Sequence, residues 1–254
     1  MRFTKITFFI LILFVSINLF SQSQLEKAEQ YFKNRHEIIE NGKANSKNID
    51  YAIKLFKQVD SEPEKTIGLL KSFEFKASWT DVSENEQKTL YKNAIDLAEK
   101  KSKEFPENGA IAYWHAANYA RWADLIDITE AAQEGVIDEI KALAEKAIEL
   151  DEKYNQAGAL RLLGGMHLEV PNIPLILSWP SNAQAKKLLR KAYKIAPQHA
   201  ANVFLYAKML HITDRNKKSK KVFEKLITEN PREEYFLVDQ KYIQKGKDYF
   251  KENF

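Results

Sequence analysis

Two stretches, Ala185-Lys-Lys-Leu-Leu-Arg-Lys-Ala-Tyr-Lys-Ile-Ala-Pro197 and Ser219-Lys-Lys-Val-Phe-Glu-Lys-Leu-Ile-Thr-Glu-Asn-Pro231, end on prolines 34 residues apart and carry one pattern. Ala185, Leu189 and Ala192 precede Pro197 by 12, 8 and 5 residues, and Ser219, Phe223 and Leu226 precede Pro231 by the same distances. Spacings of three and four put such residues on one face of a helix. Proline follows because it cannot continue one. Ala94, Ala98 and Lys101 stand at these distances before Pro106, and Ile140, Ala144 and Ala147 before Glu152. Small side chains at these places let a second helix approach closely, since the side chains at a contact set the distance between helix axes.

Outward from these stretches the punctuation is sparse, with 8 Gly and 7 Pro in 254 residues. Helical periodicity predicts helices at about 24–41, 48–60, 64–78, 84–104, 109–131, 136–150, 155–168, 182–195, 200–212, 216–229 and 233–251. Ser83-Glu-Asn-Glu86 reads as a capping box, in which serine and glutamate satisfy free backbone N–H groups reciprocally. Alternating strand patterns are missing, so the fold class is all-α.

The repeated pattern resembles the tetratricopeptide repeat, a 34-residue helix–turn–helix unit. Ala144-Glu-Lys-Ala-Ile-Glu-Leu-Asp151 looks like the end of a repeat's second helix. Tyr206-Ala207 with Leu210, and Leu163-Gly164 with His167, look like the centre of a first helix. The resemblance implies an α–α superhelix over 48–254, preceded by an N-terminal helix within 22–47. It is irregular, with long inserts: unit ends at Pro63, Pro106, Glu152, Pro197 and Pro231 are separated by 43, 46, 45 and 34 residues. The stretches Glu107–Ala123 and Val170–Ser178 further resemble the T component of tripartite periplasmic (TRAP) transporter systems. In that family a Tyr-Trp helix precedes a proline-rich loop and then Ala-x-x-x-Leu-x-x-Ala, here Ala185, Leu189 and Ala192. Members are often lipoproteins, whereas this chain has no cysteine.

Arg2 and Lys5 followed by the apolar run Ile6–Phe20 and then Ser21, Gln22 and Ser23 describe a secretory signal over 1–21. The expected location is therefore periplasmic or secreted, with no stable membrane span once the signal is cleaved; a retained N-terminal anchor is the alternative. Without cysteine there are no disulfides and no thiolate metal sites, so the core alone must hold the fold. The formal charge of +4 falls to +2 when 1–21 is removed. That is far from the strongly basic face nucleic-acid binding requires, and no nucleic-acid partner is expected. Lys217-Lys-Ser-Lys-Lys221 is the one dense basic run, read as a solvated helix face with Phe223, Leu226 and Ile227 beyond it supplying the buried side.

Chemistry-bearing constellations are thin. His36 and Glu40 would lie one turn apart on a helix, but no third metal ligand is nearby. His115 and His167 fall where repeat helices pack, and His199 and His211 are scattered. No Gly-x-Ser-x-Gly elbow or phosphate-binding glycine loop is present, and the acids interleave with lysines, as in Glu139–Lys146. The chain reads as a binding scaffold, with no enzyme activity, cofactor or metal expected.

Its sharper feature is aromatic. Tyr113, Trp114, Tyr119 and Trp122 share one alanine-rich helix with almost no polar face, which belongs in a core on every side. The other reading places some of these rings with Arg121 on a groove that takes an apolar ligand with an acidic end, or a partner's anchor residues. In tetratricopeptide folds the first helix of each pair lines the concave face. That resemblance selects Tyr113, Ala117, Arg121, Arg161, Gly165, Phe204, Lys208 and His211 as the binding surface. The loop 169–181, with Pro171, Pro174, Trp179 and Pro180 around an apolar run, either packs across the helices with Ile176 and Leu177 inward or recognises a partner. The expected partner is a protein, with a periplasmic solute-binding protein the choice under the transporter resemblance.

Overall fold

The structure is a computed structural model that describes residues 23–173 and 175–254. The expected signal, 1–21, and Pro174 lie outside the described residues. The described residues divide into two compact units, one up to Leu97 and the other Ala98–Phe254.

In the first unit, residues 23–33 are helical (α1) and a two-residue hairpin follows, β1 (Ile39–Glu40) against β2 (Lys43–Ala44). The expected helix 24–41 therefore stops early. Asn41 and Gly42 have φ of 52° and 77°, and an Asn-Gly pair with both φ positive is the two-residue turn that suits a hairpin. His36 thus sits in a turn and Glu40 in a strand, so the one-turn helical spacing proposed for them does not form. α2 (Lys47–Phe56) packs on α3 (Glu64–Trp79), and the fully buried Phe56 lies against Gly68, where a Cβ would meet its ring. α4 (Glu84–Glu104) opens with half of the expected capping box. Ser83 Oγ accepts from the Glu86 N–H at 3.2 Å, while the Glu86 carboxylate pairs with Lys76 at 3.0 Å.

The second unit contains α5 (Gly109–Ala123), α6 (Ile128–Gln133), α7 (Val136–Asp151), α8 (Tyr154–Glu169), α9 (Asn182–Ile195), α10 (Ala200–Ile212), α11 (Asn216–Thr228), a 3-10 turn (Glu233–Tyr235) and α12 (Phe236–Asn253). The expected helix 109–131 is split. Asp127 caps α6 by accepting from the Thr129 and Glu130 N–H groups, and Gly135, at φ 75°, turns the chain into α7. The main pairings are α5 with α7, α8 with α9 and α10 with α11. Each second helix also meets the next first helix, and the first helices touch in succession, α5 to α8, α8 to α10 and α10 to α12.

The residues at 12, 8 and 5 before Glu152, Pro197 and Pro231 are the ones these pairings bury. Ile140, Ala144 and Ala147 in α7, Ala185, Leu189 and Ala192 in α9, and Ser219, Phe223 and Leu226 in α11 are all closed to solvent. Full burial of a Leu or Phe contributes about 1.5–3 kcal/mol, so the periodic face carries much of the association. Ser219 is accommodated because its hydroxyl donates to the Ala207 carbonyl at 2.7 Å. Gly164 permits the close approach of α8 to α9, since a Cβ there would come within 2.7 Å of the Leu189 side chain. The fold is all-α apart from the hairpin.

Candidate functional site

Three features of the second unit gather the polar and aromatic groups: the aromatic run of α5, the start of α8, and the loop between α8 and α9.

Along α5, Tyr113 and Trp114 are turned into packing. Tyr113 is buried, its ring edge-on to Trp114 and Tyr154 at 4.9 and 5.6 Å. Its hydroxyl accepts from Asn155 Nδ2 at 2.9 Å, and Trp114 Nε1 donates to the Tyr154 hydroxyl at 3.0 Å. Tyr119 and Trp122 pack with Ile126, Leu162 and the loop residues Ile173 and Trp179 around a second cluster. Tyr119 donates to Glu139 at 3.1 Å, and burial, aided by that carboxylate, pushes its phenol up to about 12. Burial holds His115 and His167 below the usual histidine range, and so keeps both neutral.

α8 begins on three consecutive residues in the left-handed region, Asn155, Gln156 and Ala157, with φ of 46°, 55° and 64°. Each costs roughly 1–2 kcal/mol for a residue with a Cβ, so the surroundings must hold them. They do so through hydrogen bonds. The Gln156 carbonyl accepts from Arg161 Nη1 at 3.2 Å and Asn202 Nδ2 at 3.1 Å, and its side-chain Oε1 accepts from Arg232 Nη1 at 2.8 Å. Asn202, on α10, also takes Arg161 Nη1 on its Oδ1 at 2.9 Å and donates to the Ala192 and Ala196 carbonyls. Arg232 is held in turn by Asp239 of α12, which is buried and accepts from its Nε, Nη2 and backbone N–H at 2.6, 2.9 and 3.0 Å. His199 completes the group. It is buried edge-on to Tyr235, and burial together with the charges of Arg161 and Arg232 pushes it down to about 2.

Arg161 differs from Arg232 in one respect. Its hydrogen bonds go to neutral oxygens, and among the described residues no carboxylate pairs with it. A half-buried guanidinium fixed in position and left without a counter-ion can take the carboxylate of a ligand or partner.

The loop between α8 and α9 is built as a tight turn, with the Ile173 and Leu177 N–H groups donating to one another's carbonyls at 3.0 and 2.7 Å. Leu177 is fully buried and Trp179 Nε1 donates to Asp138 at 2.6 Å, with His167 edge-on to the indole. Ile176 does not point inward as expected. It is 38% exposed, and Leu175 beside it is wholly exposed at a φ of 68°. Pro171 is exposed.

The residues selected from the resemblance do not gather in one pocket. Phe204 is buried against Phe223, Tyr242 and Tyr249, and Tyr113 is closed in as described. Lys208 pairs with Glu169 at 2.7 Å, His211 shares a hydrogen bond with the Tyr249 hydroxyl at 2.8 Å, and Arg121 lies 3.6 Å from Asp124. Arg161 is the one that joins a network spanning α8, α10 and α12. Gln156, His199, Asn202, Arg232 and Asp239 were missed in the sequence. Asp239 was detectable, since it stands four residues before Ile243 on the stripe that continues through Gly246 and Phe250, where a carboxylate needs a buried partner. No group of three metal-ligating side chains occurs among the described residues, and no described helix is long and apolar enough to cross a membrane.

No known family model matches the chain, and no curated protein matches it either.

Proposed function

We propose that the chain is an exported tetratricopeptide-type scaffold of the cell envelope that binds a protein partner through the face shared by α5, α8 and α10. The observation that carries this reading is Arg161, a preorganised guanidinium without a counter-ion at the place where successive first helices touch. An acidic side chain or a C-terminal carboxylate of the partner fits it, as would the acidic end of a small apolar ligand. Lys208, His211 and Trp179 lie at the margins of the same helices and loop, partly open to solvent. A second reading, a T-component-like accessory that meets a periplasmic solute-binding protein, is favoured by the tight turn, which leaves Leu175 and Pro171 exposed.

Co-purification of the chain from its native host tests the first reading. The variants Arg161→Ala and Arg161→Lys should both lose the co-purifying partner, since Lys keeps the charge but not the planar fork. Association that survives both substitutions removes the support from this face. Retention by the Arg161 variants together with loss on Leu175→Ser would favour the second reading.

A further inference from the structure

Elsewhere in the chain, exposed lysines stand beside acids one turn away. In α4, Lys88 pairs with Glu84, Lys92 with Asp96 and Lys103 with Glu99, and in α7 Lys141 pairs with Glu145. Such i,i+4 pairs stabilise a helix slightly, and like-charge pairs at the same spacing destabilise it. α9 and α11 break the rule. α9 has no acid and α11 has only Glu224, so Lys186 faces Arg190, Lys187 faces Lys191, Lys217 faces Lys221 and Lys221 faces Lys225 at i,i+4. Residues 182–228 carry twelve lysines and arginines against Asp214 and Glu224, in a chain whose formal charge is only +4.

These cations are exposed apart from the half-buried Lys186 and Lys208, and of those on α9 and α11 only Lys191 has a carboxylate partner among the described residues, Glu152. Both helices pack on α10. Tyr193, near the end of α9, stacks on Tyr206 of α10 at 4.6 Å, and the Lys218 ammonium at the start of α11 lies 5.6 Å from the same ring. None of the large apolar side chains that the protein exposes lies on α9 or α11.

We propose that the exposed cationic faces of α9 and α11 dock on a bilayer surface rich in anionic lipid headgroups. Charge complementarity selects an anionic occupant, and the composition of the face narrows it. Nine of its ten cations are lysines, compact hydrated charges that suit a diffuse layer of headgroups. Lysine is depleted in protein–protein interfaces, whose affinity comes from clustered aromatic and arginine anchors; here Arg190 is the one arginine and Tyr193 the one aromatic that is not buried. Single-stranded nucleic acid is bound on series of open aromatic rings, whereas Tyr193 is a single ring already stacked on Tyr206.

The test is sedimentation of the full chain with phosphatidylcholine vesicles and with vesicles containing three parts in ten phosphatidylglycerol. Binding by the apolar run 6–20 appears on both, so the readout is the gain on anionic vesicles. The face variant Lys186→Gln, Lys187→Gln, Arg190→Gln, Lys217→Gln, Lys221→Gln should lose that gain by on the order of several thousandfold, given about 1 kcal/mol for each of five surface cations. The control variant Lys33→Gln, Lys54→Gln, Lys57→Gln, Lys92→Gln, Lys100→Gln removes as many exposed charges and should keep it. High salt should abolish the gain in the unaltered chain. Equal loss in both variants, no gain on anionic vesicles, or retention on polyglutamate or duplex DNA but not on vesicles would each overturn the proposal. Helical circular dichroism of both variants confirms that they are folded.

Discussion

His199 makes the stability of the second unit sensitive to acid in a way that can be isolated. Its ring is buried, faces the guanidinium groups of Arg161 and Arg232, and is held neutral down to about 2, whereas an unfolded histidine titrates near 6.5. The stability that neutrality contributes is present in full above 6.5 and is lost as the pH falls below it, because the unfolded chain takes up a proton the folded chain refuses. Between pH 7.5 and pH 5 the loss is about 2 kcal/mol. This figure depends on the unfolded value alone, since any folded value well below 5 gives the same result. It is a large share of the roughly 5–15 kcal/mol that holds a domain together. His115 and His167 act in the same direction, so the measurement is a difference. Urea unfolding of the natural chain and of His199→Phe is followed at both pH values by tryptophan fluorescence, because Trp114, Trp122 and Trp179 all report on this unit. His199 Nδ1 has no hydrogen-bond partner, so phenylalanine should fit with little loss at pH 7.5. At pH 5 the variant should gain about 2 kcal/mol relative to the natural chain. A difference that stays constant between the two pH values would refute the reasoning.

Two other substitutions probe the same scaffold. Arg232→Ala should cost about 3–5 kcal/mol and Asp239→Ala less, because the carboxylate left by the first is 3% exposed while the guanidinium left by the second is 25% exposed and can reach water; paired urea midpoints decide the order. Gly164→Ala pushes a methyl to within 2.7 Å of the fully buried Leu189, and overpacking of this kind should cost about 1–3 kcal/mol, seen as a lower thermal midpoint with helical content unchanged.

How much of this was legible in the sequence depends on the kind of signal. The helix pairs were, because their evidence is a spacing. Ala185, Leu189 and Ala192, or Ser219, Phe223 and Leu226, need only a helix to fall on one face, and that face is the buried one. The break after residue 33 was present as Asn41-Gly42 but was overridden by the apolar residues Ile38 and Ile39, which kept the helical pattern going. The α5–α6 break was signalled by Asp127 and Gly135, a cap and a left-handed turn inside what looked like continuous periodicity. The polar network was not legible as a group. Gln156 and Arg232 are 76 residues apart, and periodicity along a helix says nothing about which side chains meet between helices. The left-handed turn at 155–157 has no glycine to announce it. Only tertiary hydrogen bonds make it affordable.

That turn also explains why Arg161 is a better candidate than the other residues on its face. Three left-handed residues at roughly 1–2 kcal/mol each are a standing cost, offset by the hydrogen bonds that converge on Gln156. With Arg161 and Asn202 on its carbonyl and Arg232 on its amide oxygen, the turn is fixed, and by the same bonds so is the Arg161 guanidinium. A flexible arginine on a helix surface must give up side-chain freedom, up to about 2 kcal/mol, when it engages a carboxylate. Arg161 has already given up most of it on folding. Tyr113 and Phe204, in contrast, are fixed by having their surface covered, which leaves nothing for a partner to touch. Lys208 and His211 spend their polar atoms on Glu169 and Tyr249. A partner that displaced Glu169 from Lys208 would have to replace that ion pair, while one that approached Arg161 would meet a rigid donor whose charge is still unmatched.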